Sequence, residues 1–171
     1  MHSKNKIFLR PDMQITPATS ADIPALCTLL NLLFTQEAEF KPDYQAQSRG
    51  LASIIADPGI GCILAARRQG EVIGMVNLLY TISTALGERV ALLEDLVVAP
   101  PQRGGGIGSA LLQQAITTAR QQGCRRITLL TDHSNLAAQG FYAKHGFTLS
   151  AMRPMRLDLQ EIKNPTDCGR L

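Results

Sequence analysis

Between Leu92 and Leu112 the chain reads as a strand, a basic glycine turn and a helix in unbroken succession, an order that builds an anion site. Apolar Leu96, Val97 and Val98 continue the strand until Pro100 and Pro101 stop it. Gly104, Gly105 and Gly106 let the backbone turn closely, and a helix begins at about Gly106. Its first amides, including those of Ile107, Gly108 and Ser109, point outward without partners in their own helix. With the positive end of the helix dipole behind them and Arg103 beside them, they suit a diphosphate and need neither lysine nor metal.

Spacing separates the phosphate loops that could occupy such a turn. A Walker loop needs Gly-x4-Gly-Lys-Ser/Thr, but Ser109 stands five residues after Gly104 and no lysine lies between Gly104 and Leu112. The dinucleotide fingerprint Gly-x-Gly-x-x-Gly also fails, because Gly104 and Gly106 are followed by Ser109, and Gly106 and Gly108 by Leu111. Arg103-x-x-Gly106-x-Gly108 remains.

The elements that must position this turn follow a mixed α/β order. A short strand is expected at residues 13–16, then a helix capped by Thr19 or Ser20 that runs to about Phe34, with Asp22 and Pro24 near its start. A second helix covers 44–56 and stops at Asp57-Pro58-Gly59. Strands follow at 61–67, 72–80 and 89–98, the first two joined by a Gln69-Gly70 turn and therefore antiparallel. Apolar residues at helical spacing from Ile107 to Ala119 predict a helix over 107–122 that Gly123 ends. A buried strand at 126–131, a helix at 135–145 closed by Gly146, and a hairpin of 147–150 with 155–159 complete the pattern.

At 171 residues the chain is sized for one core. The expected division is a loose extension over 1–12, one domain over 13–160 and a polar tail over 161–171. Hydrophobic residues make up 45%, charged residues 18%, and the mean hydropathy is +0.03, as in an ordinary globular protein. The net charge of +3, with no basic stripe interleaved with aromatics, argues against a nucleic-acid partner. No run approaches 18 apolar residues, and the patch Ile7-Phe8-Leu9 is too short for a signal-peptide core, so a cytoplasmic protein without membrane attachment is expected. Cys27, Cys62, Cys124 and Cys168 show no metal spacing and read as buried reduced thiols; no metal is expected.

The Arg103-x-x-Gly106-x-Gly108 turn resembles the Gln/Arg-x-x-Gly-x-Gly/Ala signature of the GNAT superfamily of N-acetyltransferases. Two further segments are similar to that family: Leu93-Glu94-Asp95 before the turn, and Asn135 with Tyr142 and Gly146-Phe147 on and after the last helix. The likeness spans roughly residues 13–159. It implies an α/β fold with a central, mostly antiparallel sheet splayed between strands 4 and 5 and about four flanking helices. It further implies acetyl-CoA as acyl donor, its diphosphate held at Arg103 to Ser109 and its pantetheine arm along Leu96, Val97 and Val98, with Asn135 reaching the arm.

Acetyl transfer requires a base, because a lysine-like amine is protonated at neutral pH, with a pKa near 10. Glu94 and Asp95 should face opposite ways along a regular strand, and the resemblance selects Glu94. Backbone N–H groups near residues 96–98 could stabilise the oxyanion. Tyr142, about two helical turns after Asn135, fits the role of proton donor to the departing thiolate. His133 and His145 read as a turn residue and a helix-end residue without catalytic duty. In the family the acceptor site maps to residues 34–40, with Glu37 and Glu39 among phenylalanines, and to residues 80–85.

The function expected is transfer of the acetyl group to a primary amine of a small molecule, by direct attack in a ternary complex. Protein N-terminal or lysine acetylation, transfer of a longer acyl group, and a non-catalytic acyl-CoA sensor stay open, as does a homodimer.

Overall fold

In the computed structural model, which describes residues 12–35 and 42–159, the elements are β1 (Met13–Pro17), α1 (Ile23–Phe34), α2 (Tyr44–Ala56), β2 (Gly61–Arg68), β3 (Glu71–Ser83), β4 (Glu88–Val98), α3 (Ile107–Gln121), β5 (Ile127–Leu129) and α4 (Leu136–Lys144). The strands form one sheet in the order β1-β2-β3-β4-β5. Pairing is antiparallel from β1 to β4 and parallel between β4 and β5. The parallel ladder joins Ala91, Leu92 and Leu93 to Ile127, Thr128 and Leu129, and β4 continues to Val98 without β5 beside it.

Local chemistry accounts for most of the boundaries. Gln69 and Gly70 both adopt positive φ, 51° and 86°, the paired left-handed geometry that closes a two-residue hairpin between β2 and β3. Asp43 caps α2: its carboxylate accepts from the backbone N–H groups of Gln45 and Ala46 at 2.9 and 3.0 Å. Before α1 the chain makes a 3-10 turn at Ser20–Asp22. There the Asp22 carboxylate accepts from the Thr19 N–H and hydroxyl at 2.7 and 2.9 Å and takes both Arg67 Nη atoms at 2.8 and 2.7 Å. This pair ties the start of α1 to β2, and Arg67 Nε reaches Thr16 of β1 at 3.1 Å.

Two layers of helix enclose the sheet within the unit formed by Met1–Asn135. On one face, Leu26, Cys27, Leu29 and Leu30 of α1 and Leu51 of α2 pack with Ile63, Met75 and Val97. On the other lies α3, admitted by a glycine: a Cβ at Gly74 would sit 3.1 Å from Leu111 Cδ1 and 3.0 Å from the Val97 carbonyl oxygen. The second unit, Leu136–Leu171, contains α4.

Three expectations change. The strand expected over 126–131 shrinks to Ile127–Leu129 and is only half-buried, with Leu130 57% exposed, because its partner strand pairs it over three residues only. The hairpin of 147–150 with 155–159 does not form among the described residues, where Leu149 and Met155 are exposed. Its apolar spacing satisfied the strand pattern, but a strand exists only through a paired neighbour, and Pro154 removes a donor at the start of the second segment. Cys62 and Cys124 are free but half-buried, whereas Cys27 is fully buried; burial raises all three thiols above their ordinary range. The extension over 1–11, residues 36–41 and the tail from 160, with Cys168, lie outside the described residues.

Candidate functional site

The centre of β4 departs from regular strand geometry. Glu94 stands opposite Asn77 and Val97 opposite Met75, so two residues of β4, Asp95 and Leu96, oppose a single residue of β3. Asp95 absorbs the extra length at φ 51°, a left-handed conformation that an aspartate tolerates better than most residues. The bulge corrects the expectation that Glu94 and Asp95 face opposite ways. Asn77 Nδ2 donates to Asp95 Oδ2 at 3.4 Å, and by register Asn77 shares its face with Glu94. Both carboxylates therefore stand on the α1/α2 face, the same face on which Met75 and Val97 pack.

Tyr80, by contrast, lies three residues beyond Asn77 and so projects from the α3 face, away from Glu94. Its hydroxyl is buried without a partner among the described residues, its ring lies 5.2 Å from the Arg89 guanidinium carbon, and burial pushes its phenol up to about 12. The acceptor segment expected over 80–85 thus begins on a residue whose side chain turns away from Glu94. Glu37 and Glu39 lie outside the described residues.

Past the bulge, Val97 is buried in the core and Leu96 and Val98 are half-buried, which leaves the strand's backbone groups, rather than its side chains, as its means of gripping a ligand. The Pro100–Gln102 turn follows, and Arg103 Nε folds back to donate to the Val98 carbonyl at 3.0 Å. Gly104 and Gly106 take φ of 79° and 80°, as the tight turn requires. Gly106 is the N-cap of α3 and brings no side chain to cap it, so the first-turn amides of Ile107, Gly108 and Ser109 face the turn. The Ile107 side chain itself is core, 2% exposed, so only its backbone can serve a ligand. A cavity of about 240 Å³ opens at this turn, lined by Arg68, Pro101, Gln102, Arg103, Gly104 and Gly105. Arg68 donates to Gln102 Oε1 and pairs with Asp12 at 3.2 Å. Glycines at positive φ, uncapped amides and two guanidinium groups fit the diphosphate of an acyl-CoA.

Asn135 directly precedes α4, and its N–H donates to the Asp132 carbonyl at 3.0 Å. Within the second unit, Tyr142 meets Phe141 and Phe147 edge-on at 5.2 and 5.7 Å, and burial pushes its phenol up to about 12. It therefore keeps its proton at neutral pH. His145 Nδ1 donates to the Phe141 carbonyl at 2.8 Å, a local role that matches its expected place at a helix end.

Reasoning from the sequence missed Asn77 and Arg68. The signal for Asn77 was present: one amide interrupts the apolar run from Val72 to Tyr80. Arg68 gave none, since a basic residue before a Gln-Gly turn reads as solvent-exposed.

Comparison with known proteins supplies an independent view. A family profile described as "Acetyltransferase (GNAT) family" matches residues 23–147. The aminoalkylphosphonate N-acetyltransferase of Salmonella typhimurium (strain LT2) is 34% identical over 143 residues, which cover 84% of this chain and 90% of that protein. The glucosamine 6-phosphate N-acetyltransferase of Trypanosoma brucei brucei is 36% identical over 91 residues, 53% of this chain and 59% of that protein. A crystal structure of a possible acetyltransferase from Clostridium difficile 630 superposes with a TM-score of 0.78 over 86% of this chain and 97% of that one. At 14% identity this last likeness speaks for the fold alone.

Proposed function

Because the chain belongs to the acetyltransferase (GNAT) family, we propose that it transfers the acetyl group of acetyl-CoA to the primary amine of a small molecule, by direct attack in a ternary complex. The observation that carries this reading is the junction at β4. The strand leaves β5 after Leu93, bulges at Asp95 and ends on a left-handed glycine turn whose helix has no side-chain cap. A diphosphate at Arg103, Gly104, Gly105, Gly106, Ile107, Gly108 and Ser109 sends its pantetheine arm along Leu96, Val97 and Val98, in the manner of an added strand. Asn135 reaches the same arm.

Glu94 removes a proton from the ammonium, directly or through a water molecule. The freed lone pair attacks the acetyl carbonyl carbon, and backbone N–H groups at residues 96–98 hold the oxyanion that results. As the C–S bond breaks, the thiolate sulfur takes the Tyr142 phenol proton and the nitrogen gives up its second proton to solvent; solvent then returns a proton to Tyr142 and takes the one held by Glu94. The balance is one ammonium and one acetyl-CoA in, one amide, one CoA thiol and one proton out.

The experiment is a CoA-release assay with aminomethylphosphonate, glucosamine 6-phosphate, a polyamine and a lysine-bearing peptide. The named activities of the two relatives put the first two at the head of the panel. Turnover of one of the small amines is expected; CoA release with the peptide alone, or with none, overturns the proposal. Tyr142→Phe should lower kcat by about tenfold or more with acetyl-CoA KM little changed, because a positioned general acid contributes at least that much. Gly106→Val should raise acetyl-CoA KM about tenfold, because a β-branched residue at φ 80° strains the start of α3 and turns its amides away from the diphosphate. Isothermal titration of acetyl-CoA against the variant reads the same change without turnover.

A further inference from the structure

β3 runs through the middle of the sheet, and every residue from Ile73 to Leu78 is buried. Among these six, only Asn77 is polar. It is 3% exposed, and its two amide atoms have different fates. Nδ2 donates to Asp95 Oδ2, while Oδ1 is buried with no hydrogen-bond partner among the described residues. The orientation is fixed by chemistry: an ionised carboxylate only accepts, so the amide nitrogen must face Asp95 and the carbonyl oxygen must face the other way. A buried acceptor left without a donor is destabilising, and a leucine of similar volume would fill the position without that penalty. An asparagine at this position suits a donor that arrives with a ligand.

The position indicates which donor. Asn77 lies directly across the ladder from Glu94, at the Cα spacing of an antiparallel pair, and on the same face. A primary ammonium carries three N–H groups, and the free amine that attacks carries two and a lone pair. Resting on the acetyl-transfer reading above, we infer that Asn77 Oδ1 accepts one N–H of the acceptor amine before and after Glu94 removes another proton from the same nitrogen, holding that nitrogen beside the thioester while the freed lone pair turns to the carbonyl carbon. Asn77 is then a specificity-determining residue of the acceptor site. It selects unsubstituted primary amines, because an N-methyl group removes a donor and puts a methyl against one of the two oxygens. The Asp95 carboxylate, held by Nδ2, keeps the amide from rotating.

The test compares wild type with Asn77→Leu, using aminomethylphosphonate and its N-methyl derivative or, if the panel shows another small amine turned over faster, that amine and its N-methyl derivative. The expected result is an amine KM raised about tenfold or more, an acetyl-CoA KM within about twofold of wild type, and a primary-over-N-methyl preference that collapses toward unity. Thermal melting of Asn77→Leu without ligand should stay within a few degrees of wild type, because loss of the Nδ2–Asp95 hydrogen bond offsets the relief of the stranded Oδ1. Asn77→Ala serves as the second variant if the leucine fails to fold, with the same shifts in KM and preference expected. An unchanged preference ratio in an active variant overturns the inference while leaving acetyl transfer standing, as does a fall in kcat with the amine KM intact. A wild type that turns over no small amine overturns the function itself and this reading with it.

Discussion

Replacing Glu94 with glutamine is expected to lower kcat by about a hundredfold or more at neutral pH, with acetyl-CoA KM almost unmoved. Glutamine keeps the volume and a hydrogen-bonding oxygen but cannot take a proton, and at pH 7 only about one amine in a thousand is already neutral if its pKa is near 10. The defect should therefore shrink as pH rises. In the variant the rate grows about tenfold per pH unit until the amine itself titrates, because solvent then does the work of the base. The bulge makes the control informative, since Asp95 stands on the same face as Glu94. Asp95→Asn should cost less and should not show the steep alkaline recovery. If the two variants exchange behaviours, Asp95 is the base and the assignment of Glu94 is wrong. Steady-state CoA release between pH 6 and 9.5 distinguishes the outcomes.

The largest loss of stability is expected from Asp22→Ala. The carboxylate is almost buried and receives four hydrogen bonds, two from Arg67 and two from Thr19. The hydrogen bonds from Arg67, reinforced by those from Thr19, hold the Asp22 carboxyl well below the usual carboxylate range. Removing it strands a guanidinium that is only 20% exposed, and breaking one half of such a pair costs about 3 kcal/mol. For a chain of this size the melting temperature should fall by roughly 6–12 °C. The sign of the pH dependence follows from the lowered folded-state value. The stabilisation is fully present above about pH 5, where an unfolded aspartate is already ionised, and it is lost as pH falls below about 4 and protons bind the unfolded chain preferentially. Melting curves of wild type and variant between pH 3 and 8 should thus converge on the acid side. A gap that stays constant to pH 3 would show that packing, and not the ion pair, is what the alanine removes. The double variant Asp22→Ala with Arg67→Met should recover part of the loss, because no unpaired charge then remains.

Much of the frame was legible because the signals were local. The bounds of α2 follow from Asp43 and from Asp57-Pro58-Gly59, the β2–β3 hairpin from Gln69-Gly70, and the start of α3 from the glycines, each through chemistry that neighbouring residues supply. The glycine turn before α3 was legible for the same reason. What could not be read were features set by pairing between distant segments. Whether residues 147–159 form strands depends on a partner, and periodicity carries no information about one. The bulge at Asp95 is likewise a property of two strands: Leu92 to Val98 looks regular by itself, and only the register against Asn77 and Met75 exposes the extra residue. Assigning opposite faces to Glu94 and Asp95 followed correctly from alternation and failed where alternation failed.

That one extra residue also solves a problem of phase. A strand of period two must choose, at every position, between feeding the core and feeding the solvent-facing or ligand-facing side, so a carboxylate wanted beside a buried valine on one face would normally have to be spaced from it by an even number of residues. Glu94 and Val97 are three apart and nevertheless share a face. The bulge acts as a half-period delay line, letting the part of β4 before it and the part after it keep separate rhythms. Reactive groups and core packing can then change independently on either side of Asp95, each without forcing the other out of step.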